Sequence, residues 1–494
     1  MKNIISSDTV ENAPRLSLRI AKNSSIVFFG QVFSLAANLG VTVLLARQLG
    51  QAGFGLFSYA VVYVGLFAIL ADFGMQAILV RELSRRQWSA TEILGNAIII
   101  KTLLSIIAIA FIIFSAWTTS SSSTLFQIII IIALSIVISP KFAVFRIVFE
   151  APFHASLQMQ VPMLLQLFDS LLMLGVIYVL AQLNASLETM VIGYSLANLP
   201  GFLLIVYACA KKFPFRLTIN RRLIRFLLGQ SFPILLYTLF MTLFGSVDVL
   251  LLKGFQGEAG VGVYSAAMRL TSPLLFIPNA IVSSLLPVLS NYHERSNENF
   301  TKAFHLGLKI VFLIALALAI AATFLGSQVI DLLYSSEYAA SAGPLIILMW
   351  SQVFLFLIFY FANALISANQ QRTAFIAAAT MFATSLLANW LLIPAFGITG
   401  AAFAKLISSA FGWMVLLIAI SRIFTLDLNH FILRGAMFAI AFAVGLALLS
   451  RAPLCVTIFV SPAIFVLLVT ISGVFNSEER AIFRSMLPIA MLRK

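Results

Sequence analysis

The sequence predicts an all-α integral membrane protein of about fourteen transmembrane helices, arranged as two parallel six-helix repeats with two further helices at the C-terminal end. Three observations predict it. The first is composition: 61% of the 494 residues are apolar and 10% are charged, against about half and about a quarter in ordinary globular domains. A chain with mean hydropathy +1.05 has too little polar surface to cover itself in water, which excludes a soluble enzyme. The second observation is the placement of the charges. The third is an internal repeat at an offset of 207 residues.

The first apolar run, 24–45, follows Lys2, Arg15, Arg19 and Lys22. It exceeds the 7–15-residue core of a signal peptide and is read as an uncleaved first span. Runs at 54–74, 93–117, 124–148, 161–182 and 188–210 complete a first set of six. Those at 226–252, 261–287, 303–328, 343–367, 373–394 and 398–421 form a second set, and 431–450 and 454–474 a final pair. Each reaches the roughly 20 residues that cross a bilayer. Pro140, Lys141 and Arg146 interrupt the fourth run, and only Arg451-Ala-Pro453 separates the last two. Pro233, Pro273, Pro278, Pro287 and Pro344 are expected to bend spans 7, 8 and 10.

Lys and Arg number 31 against 17 Asp and Glu, a net charge of +14. With the N-terminus inside, 23 basic residues fall on inner segments and three, Arg47, Lys253 and Arg451, on outer ones. Cytoplasmic loops of membrane proteins collect Lys and Arg, so topology explains the excess and nucleic acid is not invoked. Both ends are then cytoplasmic. The expected organisation is a cytoplasmic segment 1–22, a six-helix bundle 23–212, a linker 213–225, a second bundle 226–422, added helices within 423–476 and a cytoplasmic tail 477–494. The longest connections are about 15 residues, well short of the roughly 50 of a small domain, so function must sit between helices.

The repeat is read from Gly50-Gln-Ala-Gly53-Phe-Gly55-Leu-Phe57-Ser58-Tyr-Ala60, which matches Gly257-Glu-Ala-Gly260-Val-Gly262-Val-Tyr264-Ser265-Ala-Ala267 without a gap. The same offset pairs Gly193 and Ala197 with Gly400 and Ala404. An offset of six spans preserves orientation, as in transporters built from parallel repeats.

Ala46-Arg47-Gln-Leu49-Gly50 with Phe54-Gly55, then Asp72-Phe-Gly74 and Arg81-Glu82-Leu83, resemble the first two spans of polysaccharide repeat-unit (Wzx-type) flippases. So do Asp248, Tyr264-Ser-Ala-Ala-Met-Arg269-Leu270, Leu286-Pro287 and Phe396-Gly-Ile-Thr-Gly400-Ala-Ala. That family lies in the multidrug/oligosaccharidyl-lipid/polysaccharide exporter superfamily, and the likeness covers nearly the whole chain. The resemblance implies MATE-like bundles in a bacterial inner membrane. It also implies passage of an undecaprenyl-pyrophosphate-linked oligosaccharide from inner to outer leaflet for surface polysaccharide synthesis, as with O-antigen or exopolysaccharide. Membrane lipids, a polysaccharide polymerase and a chain-length regulator are the accompanying partners.

Ionisable groups inside spans are costly and usually face the protein interior. Asp72, Lys101, Lys141, Arg146 and Lys309 lie within about two turns of an inner span end, where lysines can snorkel to headgroups. Arg146 is placed to pair with Asp169 on the next span. Arg269, Lys405 and Asp248 lie roughly 10 Å from the outer ends of their spans, taking 1.5 Å per residue. A pyrophosphate needs positive charge and donors, which makes Arg269, Lys405 and Arg146 candidate substrate ligands. An Asp248–Arg269 ion pair is the structural alternative, with Lys405 then left as an excess cation. Tyr59 and Tyr63 are candidates for stacking on sugar, or interfacial anchors. Asp248 and Asp169 are candidates for carrying a coupling proton.

No Gly-x-x-x-x-Gly-Lys-Ser/Thr is present, His154, His293, His305 and His430 are scattered, and Cys209 and Cys455 exclude a disulfide framework. No cofactor, metal or catalytic set is expected. Two other readings stay open: a cation-coupled multidrug or metabolite exporter of the same superfamily, and a membrane-embedded polymerase or ligase. The short outer loops weigh against the latter.

Overall fold

The computed structural model describes residues 8–471 apart from 86, 121, 143, 283–296, 368–369, 423–428 and 450–451. The basic tail, Pro287, His293, Arg295 and Arg451 lie outside the described residues. Among those described there is no strand. The chain divides into two compact units, Met1–Thr242 and Leu243–Lys494.

The first unit holds α1 (Asp8–Asp72), α2 (Met75–Arg85), α3 (Ala90–Thr119), α4 (Ser123–Leu134), α5 (Arg146–Ala155), α6 (Gln160–Gln182), α7 (Leu187–Leu196), α8 (Leu199–Lys212) and the start of α9 (Arg221–Thr271). Within it α1 packs on α3, α4 and α6, while α5 packs on α2 and α8. One core joins Met75 and Leu79 to Ile93, Leu94, Ile147, Val148, Leu223 and Leu227. The second unit holds the rest of α9, then α10 (Asn297–Leu333), α11 (Ala342–Ser367), α12 (Gln371–Ser421), α13 (Asn429–Leu449) and α14 (Leu454–Ile471). There α11 packs on α10 and α12. The added pair attaches through α10, where Phe438, Phe442 and Leu446 meet Leu313, Leu316 and Ile320.

Three apolar helices are far too long for one crossing. Val27–Arg85, Arg221–Val282 and Arg372–Ser421 run 59, 62 and 50 residues, at least about 75 Å of helix at 1.5 Å per residue against a hydrocarbon core of about 30 Å. Each contains a glycine with non-helical backbone at mid-length, Gly50, Gly257 or Gly397, and the first has a further turn at Phe73 and Gly74. Counting the limbs on either side, the other long helices and three shorter apolar ones gives fourteen apolar passes among the described residues. Gly50 (φ 63°, ψ −178°) and Gly257 (φ 66°, ψ −163°) share one left-handed conformation, and they stand 207 residues apart in the repeated motif. A β-carbon at Gly257 would meet nothing within 4 Å, so glycine is required there by backbone alone. Gly50→Ala and Gly257→Ala should each cost about 1–3 kcal/mol. Gly254→Ala, an open position with no such φ, should be neutral or stabilise by up to about 1 kcal/mol. Thermal unfolding of the purified protein checks both.

The outward faces are apolar. On α3, Leu103, Ile106, Ile107, Phe111, Phe114 and Trp117 are exposed while Lys101, Ser105, Ala108, Ile112 and Ala116 are buried. The two sets alternate at helical spacing. An apolar exposed stripe of this length fits hydrocarbon, not water, and the chain is a multi-pass membrane protein.

The fourth span is broken. Residues 135–142, 144 and 145 leave the helix between α4 and α5, where Pro140 has no N–H to give and disfavours helix at Ser139. Of the prolines expected to bend spans, Pro233 sits inside a helix whose described irregularity is at Gly257. Pro273 lies in the 3-10 turn Ser272–Leu275, after which helix resumes through 282 with Pro278 inside it. Pro344 falls in the first turn of α11, where a missing N–H costs little.

Candidate functional site

In the second unit, three side chains close on one point. Asp248 stands nine residues before the Gly257 turn and Tyr264 seven after it, so the two limbs bring them level. The Tyr264 hydroxyl donates to Asp248 Oδ2 at 2.6 Å, and the Val249 amide donates to Oδ1 at 2.9 Å. From α12, Lys405 Nζ reaches Asp248 Oδ2 at 3.0 Å and donates to the Phe244 carbonyl at 2.6 Å. The same ammonium stands 4.2 Å from the centre of the Phe244 ring, a cation–π contact. Asp248 and Tyr264 are 0% exposed and Lys405 6%. One negative charge, one positive charge and one hydroxyl satisfy one another in a dry setting.

This arrangement corrects two expectations. The ion pair at Asp248 is with Lys405, not Arg269, and Lys405 is therefore not an excess cation. Register is the reason: Arg269 lies twelve residues beyond Gly257, over a turn past the level of Tyr264. Arg269 is half-buried in the last turn of α9, and its charge acts on Tyr334. The Tyr334 hydroxyl donates to the Ala266 carbonyl at 3.2 Å.

In the first unit, Arg146 at the start of α5 faces two carboxylates. Its Nε donates to Glu150 Oε1 at 2.6 Å, and its Nη1 pairs with Asp169 Oδ2 of α6. The Arg146–Asp169 pairing agrees with the sequence reading. Glu150 was missed, because the fourth span was ended at 148; four residues after Arg146 on a helix is an ion-pair spacing. Gly201 of α8 was also missed. A β-carbon there would overlap the Asp169 carboxylate. Nearby, burial holds the His154 imidazole below its ordinary value, which keeps it uncharged near neutral pH.

A further correction concerns Lys101, which does not snorkel. It is fully buried and donates to the Asp72 carbonyl at 2.5 Å and to Asp72 Oδ1 at 2.8 Å. Phe73 and Gly74 both take positive φ, 54° and 66°, so the lysine clamps the tight turn where α1 ends. Lys141 is exposed and Lys309 half-buried. Tyr59 and Tyr63 stack with ring centres 5.8 Å apart, and the Tyr63 hydroxyl donates to Ser115 Oγ at 2.7 Å. Tyr63 is buried and Tyr59 half-buried. No group of three His, Cys, Asp or Glu suited to a metal occurs among the described residues.

The model of the family described as "Polysaccharide biosynthesis protein" matches residues 20–293, more than half of the 494. The chain belongs to that family. Residues 233–391 of this family member also match the MatE model. The curated protein "Probable low-salt glycan biosynthesis flippase Agl15" of Haloferax volcanii is 22% identical over 399 residues, 79% of this chain and 81% of that protein. Among solved structures, the lipid II flippase MurJ in an inward closed conformation superposes with a TM-score of 0.74 at 15% identity. That match covers 91% of this chain and 98% of the flippase. An inward-facing multidrug resistance MATE transporter gives a TM-score of 0.61 at 18% identity, covering 82% of this chain and 98% of its own. These likenesses establish the all-α membrane fold that the flippase and the transporter share.

Proposed function

We propose that this protein flips a lipid-linked oligosaccharide across a membrane for surface polysaccharide synthesis. The observation that carries the reading is the likeness along 79% of the chain to a probable glycan biosynthesis flippase, within a family described by polysaccharide biosynthesis. The finer proposal is an undecaprenyl-pyrophosphate carrier, moved from the cytoplasmic leaflet of a bacterial inner membrane by alternating access of the two six-helix repeats. Both chain ends lie in the cytoplasm on this reading, and a polymerase and chain-length regulator receive the product.

Arg269 is the proposed pyrophosphate ligand. It is half-buried at the end of α9, next to the 3-10 turn that interrupts its span. Lys405 and Asp248 engage each other, so their proposed part is to hold α9 to α12. Tyr59, with its ring half-buried, is the better of the two tyrosines for contact with sugar.

The test is a leaflet-sidedness assay in liposomes with labelled lipid-linked oligosaccharide. Label should reach the opposite leaflet only with the protein present; unchanged sidedness overturns the reading. Arg269→Ala should cut the rate by about tenfold or more with unchanged thermal stability, and Arg269→Lys should keep part of it, since lysine retains charge without the planar fork. Sidedness of the chain is checked with single cysteines. Ser341 is unsuited because it is buried and donates to the Val263 carbonyl, and Asn220 is half-buried as a helix cap. Ser122, Ala339 and Thr218 are exposed; the first two should label from outside and Thr218 from the cytoplasmic side.

A multidrug exporter is the second reading, favoured by the MatE match over 233–391. Extrusion of cationic dyes without movement of glycan would establish it instead.

A further inference from the structure

The two units differ in charge balance. Asp248 and Lys405 neutralise each other one to one. In the first unit one guanidinium, Arg146, faces two carboxylates, Glu150 and Asp169. With both ionised the cluster holds a net charge of −1, and a guanidinium does not deprotonate in proteins. The Arg146 and Asp169 side chains are 2% and 1% exposed. An uncompensated charge at that depth costs several kcal/mol. Inside the cluster, Arg146 Nη2 is buried without a hydrogen-bond partner among the described residues, and the Gly201 backbone faces the Asp169 carboxylate.

Among the described residues, the ion pairs of Glu150 and Asp169 are with Arg146. Of the helices packed on α5, α2 brings Arg81, Glu82 and Arg85, and Glu82 is held by both arginines. From α3 come Glu92 and Lys101, with Lys101 held by Asp72. From α8 come Tyr207, Cys209, Lys211 and Lys212, with Lys212 held by Gln158. On α6 pack also α1, with Arg47, Tyr59, Tyr63 and Asp72 and, towards its start, Asp8, Glu11, Arg15, Arg19 and Lys22, and α7, with Glu188 and Tyr194; Lys141, before α5, is exposed. His154 of α5 itself is uncharged near neutral pH, as above. The charge interactions of Arg146, Glu150 and Asp169 are with one another.

We propose that the Arg146–Glu150–Asp169 cluster is a proton-binding site, in which one exchangeable proton is held between the two carboxyls. Binding moves one proton from water onto a carboxylate and takes the cluster from −1 to neutral; release reverses it. Glu150, with its side chain 17% exposed against 1% for Asp169, is the entry group. The adjoining break, described at 135–142, 144 and 145, is non-helical backbone of the kind found at ion sites in transporters. In unit two the Asp248 carboxylate is already matched by Lys405 and Tyr264. On the flippase reading, this proton is the coupling ion, and Asp169 carries it with Glu150 in place of Asp248.

The test is infrared difference spectroscopy of the full-length protein in lipid nanodiscs during pH steps, which needs no transport substrate. The wild type should show a titrating carboxylic-acid carbonyl band. Glu150→Gln and Asp169→Asn should each remove it, Glu150→Asp should keep it at a shifted position, and Asp248→Asn should leave it unchanged. A band that survives both neutralising variants, that vanishes only in Asp248→Asn, or that responds to sodium at fixed pH overturns the proposal. So does a wild type with no such band. A liposome arm separates this from the flippase reading. A pH gradient should accelerate flipping by the wild type, and the ratio of rates with and without the gradient should fall towards one in Glu150→Gln. A wild type that moves no glycan but keeps the band refutes the flippase reading and leaves the proton site standing.

Discussion

Lys405→Met should destabilise the purified protein by about 3–5 kcal/mol, because it leaves the Asp248 carboxylate buried without a counter-charge. Asp248 is 0% exposed, so no rotation takes it to water, and the Tyr264 hydroxyl alone does not offset a full charge. Replacing the partner as well, Asp248→Asn with Lys405→Met, removes both charges and keeps an acceptor for Tyr264. Most of the lost stability should return, since a buried pair exchanged for neutral groups is often close to neutral in free energy. Chemical unfolding of the single and double variants measures the coupling. A double variant no more stable than the single one would show that the pair does not hold α9 to α12.

Arg146→Met should be at least as damaging, on the order of 3–5 kcal/mol, because two carboxylates lose the cation they share. The loss should depend on pH. Neutral carboxyls tolerate burial far better than ionised ones, so the variant should be most stable in acid and lose stability as pH rises through carboxyl ionisation. Thermal unfolding at acidic and neutral pH checks the direction. Adding Glu150→Gln and Asp169→Asn should flatten the dependence.

Most of the fold was legible because its signals are long. A run of twenty apolar residues reads as a span whatever its neighbours do, and a gapless motif repeated 207 residues on fixes the pairing of the halves. Gly50 and Gly257 show the repeat again as backbone angles. What the sequence concealed depends on register across a turn. Depth counted from span ends put Asp248 beside Arg269, whereas the angle at Gly257 sets it opposite Tyr264 and within reach of Lys405. Lys101 was read as a snorkelling chain because its partner, Asp72, lies 29 residues away on another helix. Glu150 hid behind a misplaced span boundary, and nothing local marks Gly201 as the space for a carboxylate. Arg146 and Asp169 were found because each was an isolated charge in an apolar run.

The exposed stripe on α3, from Leu103 to Trp117, bears on how such chains drift apart. A side chain that meets only lipid tails is judged by its oiliness and not by its shape, since fluid acyl chains fill whatever contour they are offered. Leucine, isoleucine, phenylalanine and valine are then nearly interchangeable across the perimeter of every span. Turn glycines and buried charge partners have no such latitude. Backbones that superpose at a TM-score of 0.74 while agreeing at only 15% of positions are the expected outcome when so much of the surface is free to vary in spelling and bound only in solubility.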